Sequence, residues 1–141
     1  MSIVHQTIPL HTGLRPHVIS AYAETKPAKG TVVLLHGFPD TNYGWRHLIK
    51  PIARAGFDVF APSMRGYGPE DKAFLKKDDD LRMELICKDV DALLTALQVD
   101  KAVVVGHDWG GTVAWNFSCH YPHRTLAIAS FCTPFFPVPQ E

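Results

Sequence analysis

The segment Val103-Val-Val-Gly106-His107-Asp108-Trp109-Gly110-Gly111 carries the strongest chemical signal in the chain. An apolar strand runs into Gly-x-Asp-x-Gly-Gly and then straight into a helix. This is the pattern of a nucleophile elbow, with Asp where hydrolases of esters carry Ser. Such a turn forces Asp108 into a strained backbone conformation, and the small residues Gly106 and Gly110 give it room. The Asp108 carboxylate then stands clear of the sheet at a helix N-terminus, where peptide dipoles favour the anion. A second segment, His36-Gly37-Phe38-Pro39-Asp40, follows directly on the apolar run Thr31–Leu35. Its glycine and proline shape a tight loop that can aim a backbone N–H at the elbow. The expected result is an oxyanion hole of two main-chain donors, Phe38 and Trp109, with His36, Gly37 and Pro39 fixing the loop.

The elements that must position these residues are legible from periodicity. Ile3–Leu10 and His17–Glu24 read as two strands joined across Thr12-Gly13 in a hairpin. Thr31–Leu35, Phe57–Ala61, Lys101–Val105 and Leu126–Phe131 are short continuous apolar runs, as expected of strands covered on both faces. Trp45, Leu48, Ile49 and Ile52 have helical spacing, with Pro51 kinking or restarting that helix and Gly56 ending it. Leu81–Leu97 is the clearest helix, with Ile86, Val90, Leu93, Leu94 and Leu97 as its apolar stripe. Gly110–Tyr121 is helical. Lys76–Asp80 reads as a solvated turn, and the proline-rich Thr133–Pro139 as neither helix nor central strand. Strands alternating with helices imply an α/β fold: a mostly parallel sheet wound by right-handed crossovers, with an N-terminal antiparallel hairpin.

Composition narrows the partners. A chain of 141 residues, 46% hydrophobic and 20% charged, is a globular domain rather than a disordered or fibrous segment. Fourteen basic side chains balance fourteen acidic ones, so there is no electrostatic case for nucleic acid or an anionic membrane. Cys87, Cys119 and Cys132 are an odd count without a C-x-x-C pair, which argues against a disulfide framework or a zinc site and for a reducing compartment. The N-terminus lacks the pattern of a signal peptide, and no apolar run is long enough to span a bilayer, so the expected localisation is cytoplasmic. No G-x-G-x-x-G, H-E-x-x-H or Gly-Lys-Ser/Thr ending is present. The expectation is therefore no cofactor and no metal, no phosphate role for Arg65-Gly-Tyr-Gly68, and an incidental His120-x-x-His123 pair.

Each candidate also has a purely structural reading. An Asp before a helix is most often an N-cap, but the surrounding glycines and the His36 loop favour the nucleophile. His36 is expected to be structural, His107 to pack or hydrogen-bond to backbone with lining of the pocket as the alternative, and Trp115 to face the core or the strands. The Trp109 ring, beyond its backbone donor, is a candidate pocket wall.

Taken together, H36-G-F-P-D40, W45-R46, R65-G-Y-G68 and G106-H-D-W-G-G111, in this order and spacing, resemble the epoxide hydrolases of the α/β-hydrolase fold. The resemblance runs from about Thr31 to Phe135. It implies conversion of a small epoxide and water into a vicinal diol through an alkyl ester on Asp108, without cofactor. Haloalkane dehalogenases also place Asp in this elbow but typically carry Asn, a halide holder, where this chain has Phe38. That difference favours the epoxide, while a dehalogenase, the fluoroacetate type included, stays open as the alternative. The choice of Asp is chemically apt. A carboxylate that opens an epoxide becomes an ester whose carbonyl water can attack, whereas Ser would leave an inert ether.

The family order is nucleophile, acid, histidine. After Asp108 the chain offers only His120, His123 and Glu141. Helix geometry sets those histidines roughly 18 Å from Asp108, far beyond the reach of a general base. The family also protonates the opening oxide with two tyrosines of a helical cap, and Tyr22, Tyr43, Tyr67 and Tyr121 all precede where that cap would begin. Neither base, acid nor cap tyrosines carry over to any residue. The expectation is one unit, residues 1–141, forming the N-terminal part of an α/β-hydrolase domain truncated before the cap and the last strands. Such a chain manages at most one alkylation. Leu126–Phe131 would then be an apolar edge inviting self-association, with Phe131, Phe135 and Phe136 stripped of covering partners. A non-catalytic fragment that binds a partner through this edge is the rival reading.

Overall fold

The computed structural model describes residues 2–68, 71, 75 and 78–136. Six strands form one sheet in the order β1-β2-β4-β3-β5-β6: β1 Val4–Thr7, β2 His17–Ala21, β3 Gly30–Leu35, β4 Phe57–Pro62, β5 Ala102–His107 and β6 Thr125–Phe131. The β1–β2 hairpin is antiparallel, and β2 pairs antiparallel with β4. From β4 through β3 and β5 to β6 every pairing is parallel. The expected hairpin and parallel sheet are both present, although the first two strands are shorter than Ile3–Leu10 and His17–Glu24.

Among the described residues three helices cover the sheet: α1 Arg46–Arg54, α2 Met83–Ala96 and α3 Trp109–His120. Because side chains alternate across a strand, each apolar run feeds two cores. Val33 and Leu35 of β3, with Val104 of β5, pack with Val90, Leu93 and Leu94 of α2 and Val113 and Phe117 of α3. Val32 and Leu34 pack on the other face with Trp45, Ile49 and Ala53. Val90, Leu93 and Leu94 of the α2 stripe are buried and Ile86 and Leu97 half-buried, although the helix begins at Met83, after a 3-10 turn at Asp78–Leu81. The lysines of the expected solvated turn, and the end of the proline-rich tail from residue 137, lie outside the described residues.

Two expectations give way. Pro51 does not restart α1, which runs through it as a single helix. Pro51 and His47 are both exposed, so water can satisfy the carbonyl that the missing N–H leaves free. β6 is not a strand buried on both faces. It is a sheet edge, with Leu126 57% and Phe131 52% exposed, because the one helix on the α1 face packs over β2, β3 and β4. On that face Val103 and Val105 of β5 are only half-buried.

Arg65 follows β4 and plays a structural part that the sequence did not signal. Its Nε and Nη2 donate to the two oxygens of Asp89 on α2 at 2.6 and 2.8 Å, with both side chains buried. Thr12 of the hairpin turn donates to the same carboxylate at 2.7 Å. One fork thus ties hairpin, β4 and α2 together, and a partner deleted from such a pair leaves an uncompensated buried charge.

Candidate active site

The chain leaves β3 for β4 on one side, then crosses back over β3 to β5 on the other. In parallel sheets this reversal opens a crevice at the carboxyl ends of the two strands, where ligands bind. The two segments singled out by sequence meet there: the His36 loop leaves β3 and the Asp108 bend leaves β5.

Asp108 has φ 56° and ψ −123°, a left-handed conformation that costs an ordinary residue about 1–3 kcal/mol. The bend is held by its own backbone. The Asp108 N–H donates to the Phe131 carbonyl at 3.2 Å, and the Asp108 carbonyl accepts from Gly111 and Thr112 at 2.9 and 3.2 Å. It is also packed too tightly for side chains at its flanks. A Cβ on Gly106 would collide with the Gly110 backbone, and one on Gly110 with the Leu35 carbonyl. Across the crevice, a Cβ on Gly37 would meet the Asp108 side chain. The three small residues noted in the sequence therefore let β3, β5 and α3 close on one point.

The Asp108 side chain makes no N-cap bond to its helix, so the capping reading fails. Instead the Phe38 N–H donates to Asp108 Oδ1 at 2.9 Å, from a loop containing a cis Phe38–Pro39 bond. The Phe38 and Trp109 amides together hold the carboxyl below its ordinary range, with a smaller push in the same direction from His107. The Phe38 and Trp109 rings, 67% and 58% exposed, leave this polar point rimmed by aromatic surface.

His36 is structural, as expected. It is buried; the Met64 N–H donates to its Nε2 at 3.0 Å, so the ring proton sits on Nδ1 and is donated to the Gly37 carbonyl, also at 3.0 Å. Burial lowers its pKa and holds the ring neutral. Pro39 is exposed on the loop. Of the two readings of His107, packing and lining a pocket, the structure shows the second. Its side chain is exposed and, with Asp40, Trp45, Leu48 and Phe131, lines a hollow of about 250 Å³ beside the bend. Trp115 is half-buried, its indole N–H donating to the Thr133 carbonyl at 3.2 Å. His120 is the last residue of α3, with Asp108 at the opposite end, and His123 lies in the 3-10 turn beyond it.

Two further residues bear on the bend and its loop. The Thr133 hydroxyl donates to the Asp108 carbonyl at 2.7 Å and braces the bend from across β6. Tyr67 packs edge-on against His36 at 4.7 Å, and burial together with the Asp108 charge pushes its phenol up. No local pattern announces Thr133, while the Arg65-Gly-Tyr-Gly68 motif had already marked Tyr67. Among the described residues no histidine is hydrogen-bonded to a carboxylate, and no group of three or more His, Cys, Asp or Glu could hold a metal ion.

This arrangement can be set beside known proteins. A model of the alpha/beta hydrolase fold matches residues 30–141. The chain belongs to the α/β-hydrolase fold family. Among α/β-hydrolase relatives, the bifunctional epoxide hydrolase 2 of Sus scrofa is 38% identical over 136 residues, 96% of this chain and 23% of that protein. Epoxide hydrolase B of Mycobacterium tuberculosis is 39% identical over 137 residues, 96% of this chain and 37% of its own length. The crystal structure of epoxide hydrolase A from Mycobacterium thermoresistibile superposes with a TM-score of 0.83 at 32% identity, covering 99% of this chain and 41% of that one. The chain thus spans between about a quarter and two fifths of these α/β-hydrolases.

The strain at the bend has a measurable signature. Glycine tolerates a positive φ at no steric cost whereas alanine does not. Asp108→Gly should therefore be more stable than Asp108→Ala by about 1–3 kcal/mol in urea denaturation. Equal stabilities, or alanine ahead, would mean that residue 108 is not strained.

Proposed function

We propose that this chain carries the nucleophile of an epoxide hydrolase. The observation that supports the reading best is the Asp108 carboxylate, gripped by the Phe38 and Trp109 amides on a left-handed bend. In this reading the bend is a nucleophile elbow and the two amides are an oxyanion hole. The oxygen not held by Phe38 attacks an epoxide carbon. The carbon–oxygen bond of the ring breaks, and its electron pair leaves as an alkoxide that must gain a proton. Asp108 becomes an ester whose carbonyl oxygen is Oδ1, already facing an amide N–H. When water attacks that carbonyl, the negative charge develops where donors are waiting, and a single such donor is worth roughly 3–4 kcal/mol in related chemistry. His36, Gly37 and Pro39 set the loop, and Gly106 and Gly110 set the bend.

The second step needs a base oriented by an acid, and among the described residues no histidine is hydrogen-bonded to a carboxylate. His36 is locked neutral between two backbone groups, and His120 and His123 sit beyond the far end of α3. The 141 residues are then the part of a hydrolase domain that holds the nucleophile, and by themselves they trap the ester. Incubating the folded chain with a reactive epoxide such as styrene oxide should add one epoxide mass, mapped to Asp108 by peptide mass spectrometry and absent in Asp108→Asn. An unmodified Asp108, or labelling that survives Asp108→Asn, would count against the assignment. A dehalogenase is the nearest alternative, and the absence of a side-chain halide donor at Phe38 disfavours it. Three free thiols fit a reducing, cytoplasmic setting.

The β6 edge supports a further part of the reading, self-association. β6 pairs on one side only, and Leu126, Phe131, Phe135 and Phe136 are all exposed around it. An edge of this kind is a template for pairing with a second chain. In sedimentation velocity the chain should show concentration-dependent association, and Leu126→Lys should shift it toward monomer. A monomer at every concentration would remove this partner.

A further inference from the structure

A second hollow lies between the hairpin and the start of α1. Its volume is about 220 Å³, and Ile3, His5, Ile19, Tyr43, Arg46 and Ile49 line it. It shares no lining residue with the hollow beside the Asp108 bend. The isoleucines give the hollow an apolar floor: Ile19 and Ile49 belong to the buried core, and Ile3 packs against it. No acidic residue lines it.

Two donors stand on its rim, and both are held in place. The Arg46 guanidinium lies over the Tyr43 ring at 4.7 Å and donates through Nη1 to the Tyr43 carbonyl at 3.2 Å. Among the described residues it has no carboxylate partner, so the rest of its fork is available. The His5 donor is fixed by a relay. Asn42 Nδ2 donates to the His17 and Ala61 carbonyls at 3.1 and 3.0 Å, which identifies it as the NH2 end of the amide. The same nitrogen lies 3.2 Å from His17 Nδ1, and an amide nitrogen cannot accept, so that ring nitrogen carries no proton. The His17 proton is then on Nε2, donated to His5 Nδ1 at 3.1 Å. A neutral His5 whose Nδ1 accepts carries its own proton on Nε2, leaving one N–H donor on a ring that lines the hollow.

We propose that this hollow binds a small organic carboxylate. Arg46 and the His5 Nε2–H hold its oxygens, and Ile3, Ile19 and Ile49 take its apolar tail. Planar fork recognition suits a carboxylate in particular, and the preset donors lose little freedom on binding. The site stands apart from the Asp108 bend and does not depend on the chemistry proposed there.

The test is an NMR titration of the isotopically labelled 141-residue chain with hexanoate, with hexanol as a tail-matched neutral control. Hexanoate should give saturable shifts at Ile3, His5, Ile19, Tyr43 and Arg46. Arg46→Gln, an exposed position, should weaken the binding about tenfold, as should replacing hexanoate with hexanol. The absence of saturable shifts, binding indifferent to Arg46→Gln or to the missing charge, or shifts centred on Phe38 and Asp108 would each overturn the proposal.

Discussion

The structure depends on one contact: a carboxylate held by main-chain amides at a bend where an L-residue is strained. An ordinary aspartate before a helix turns back to cap it. Here the left-handed conformation of Asp108 swings the side chain away from α3 and toward the Phe38 amide. The strain persists because the surroundings over-determine it. Phe131 and Thr133 hold its peptide groups from β6, and the Gly106, Gly110 and Gly37 backbones leave no other path for the chain. A rigid anion with main-chain donors already aimed at it is what the proposed displacement, and the oxyanion that would follow, require.

The sheet explains why this point and no other. β3 and β5 are parallel neighbours, and each ends in a glycine-bearing turn, so their carboxyl ends converge where the winding reverses. Burial on the α2–α3 face makes β3 and β5 rigid, with Val33, Leu35 and Val104 fully enclosed. The other face is finished only over β2, β3 and β4. Beyond it, Val103 and Val105 are half-covered and Phe131 is exposed. Burial is therefore complete beneath the Asp108 bend on the α2–α3 face and least at the β6 edge, where the proposed second chain would pair.

Much of this was legible in the sequence because it is local. The Ile86 to Leu97 stripe specified α2, the Val103–Val105 run specified β5, and Gly-x-Asp-x-Gly-Gly specified the bend, since only glycines fit where strand and helix backbones touch. What escaped is long-range or depends on the surroundings. Arg65 and Asp89 are 24 residues apart, and Thr133 reaches Asp108 across 25. No spacing rule links such pairs. The apolar run of β6 read as a strand buried on both faces, but such a run records what a strand could bury and not whether a helix lies over it. Whether His107 packs or lines a pocket depends on the same kind of context. It is the last residue of β5, and the strand's end leaves its imidazole facing the hollow instead of the core.

The most direct test of the account is the titration of Asp108 itself, followed by carbon-13 NMR of its carboxyl group in the folded chain. Amide donation stabilises the charged form, so the midpoint should fall below the ordinary value of 3.8. The sign for stability follows. The contribution of Asp108 is complete above that ordinary value and is lost as the pH drops through the lower, folded one. A midpoint at or above 3.8 would mean that the amides do not hold the carboxylate, and the reading of this bend as a prepared nucleophile would be wrong.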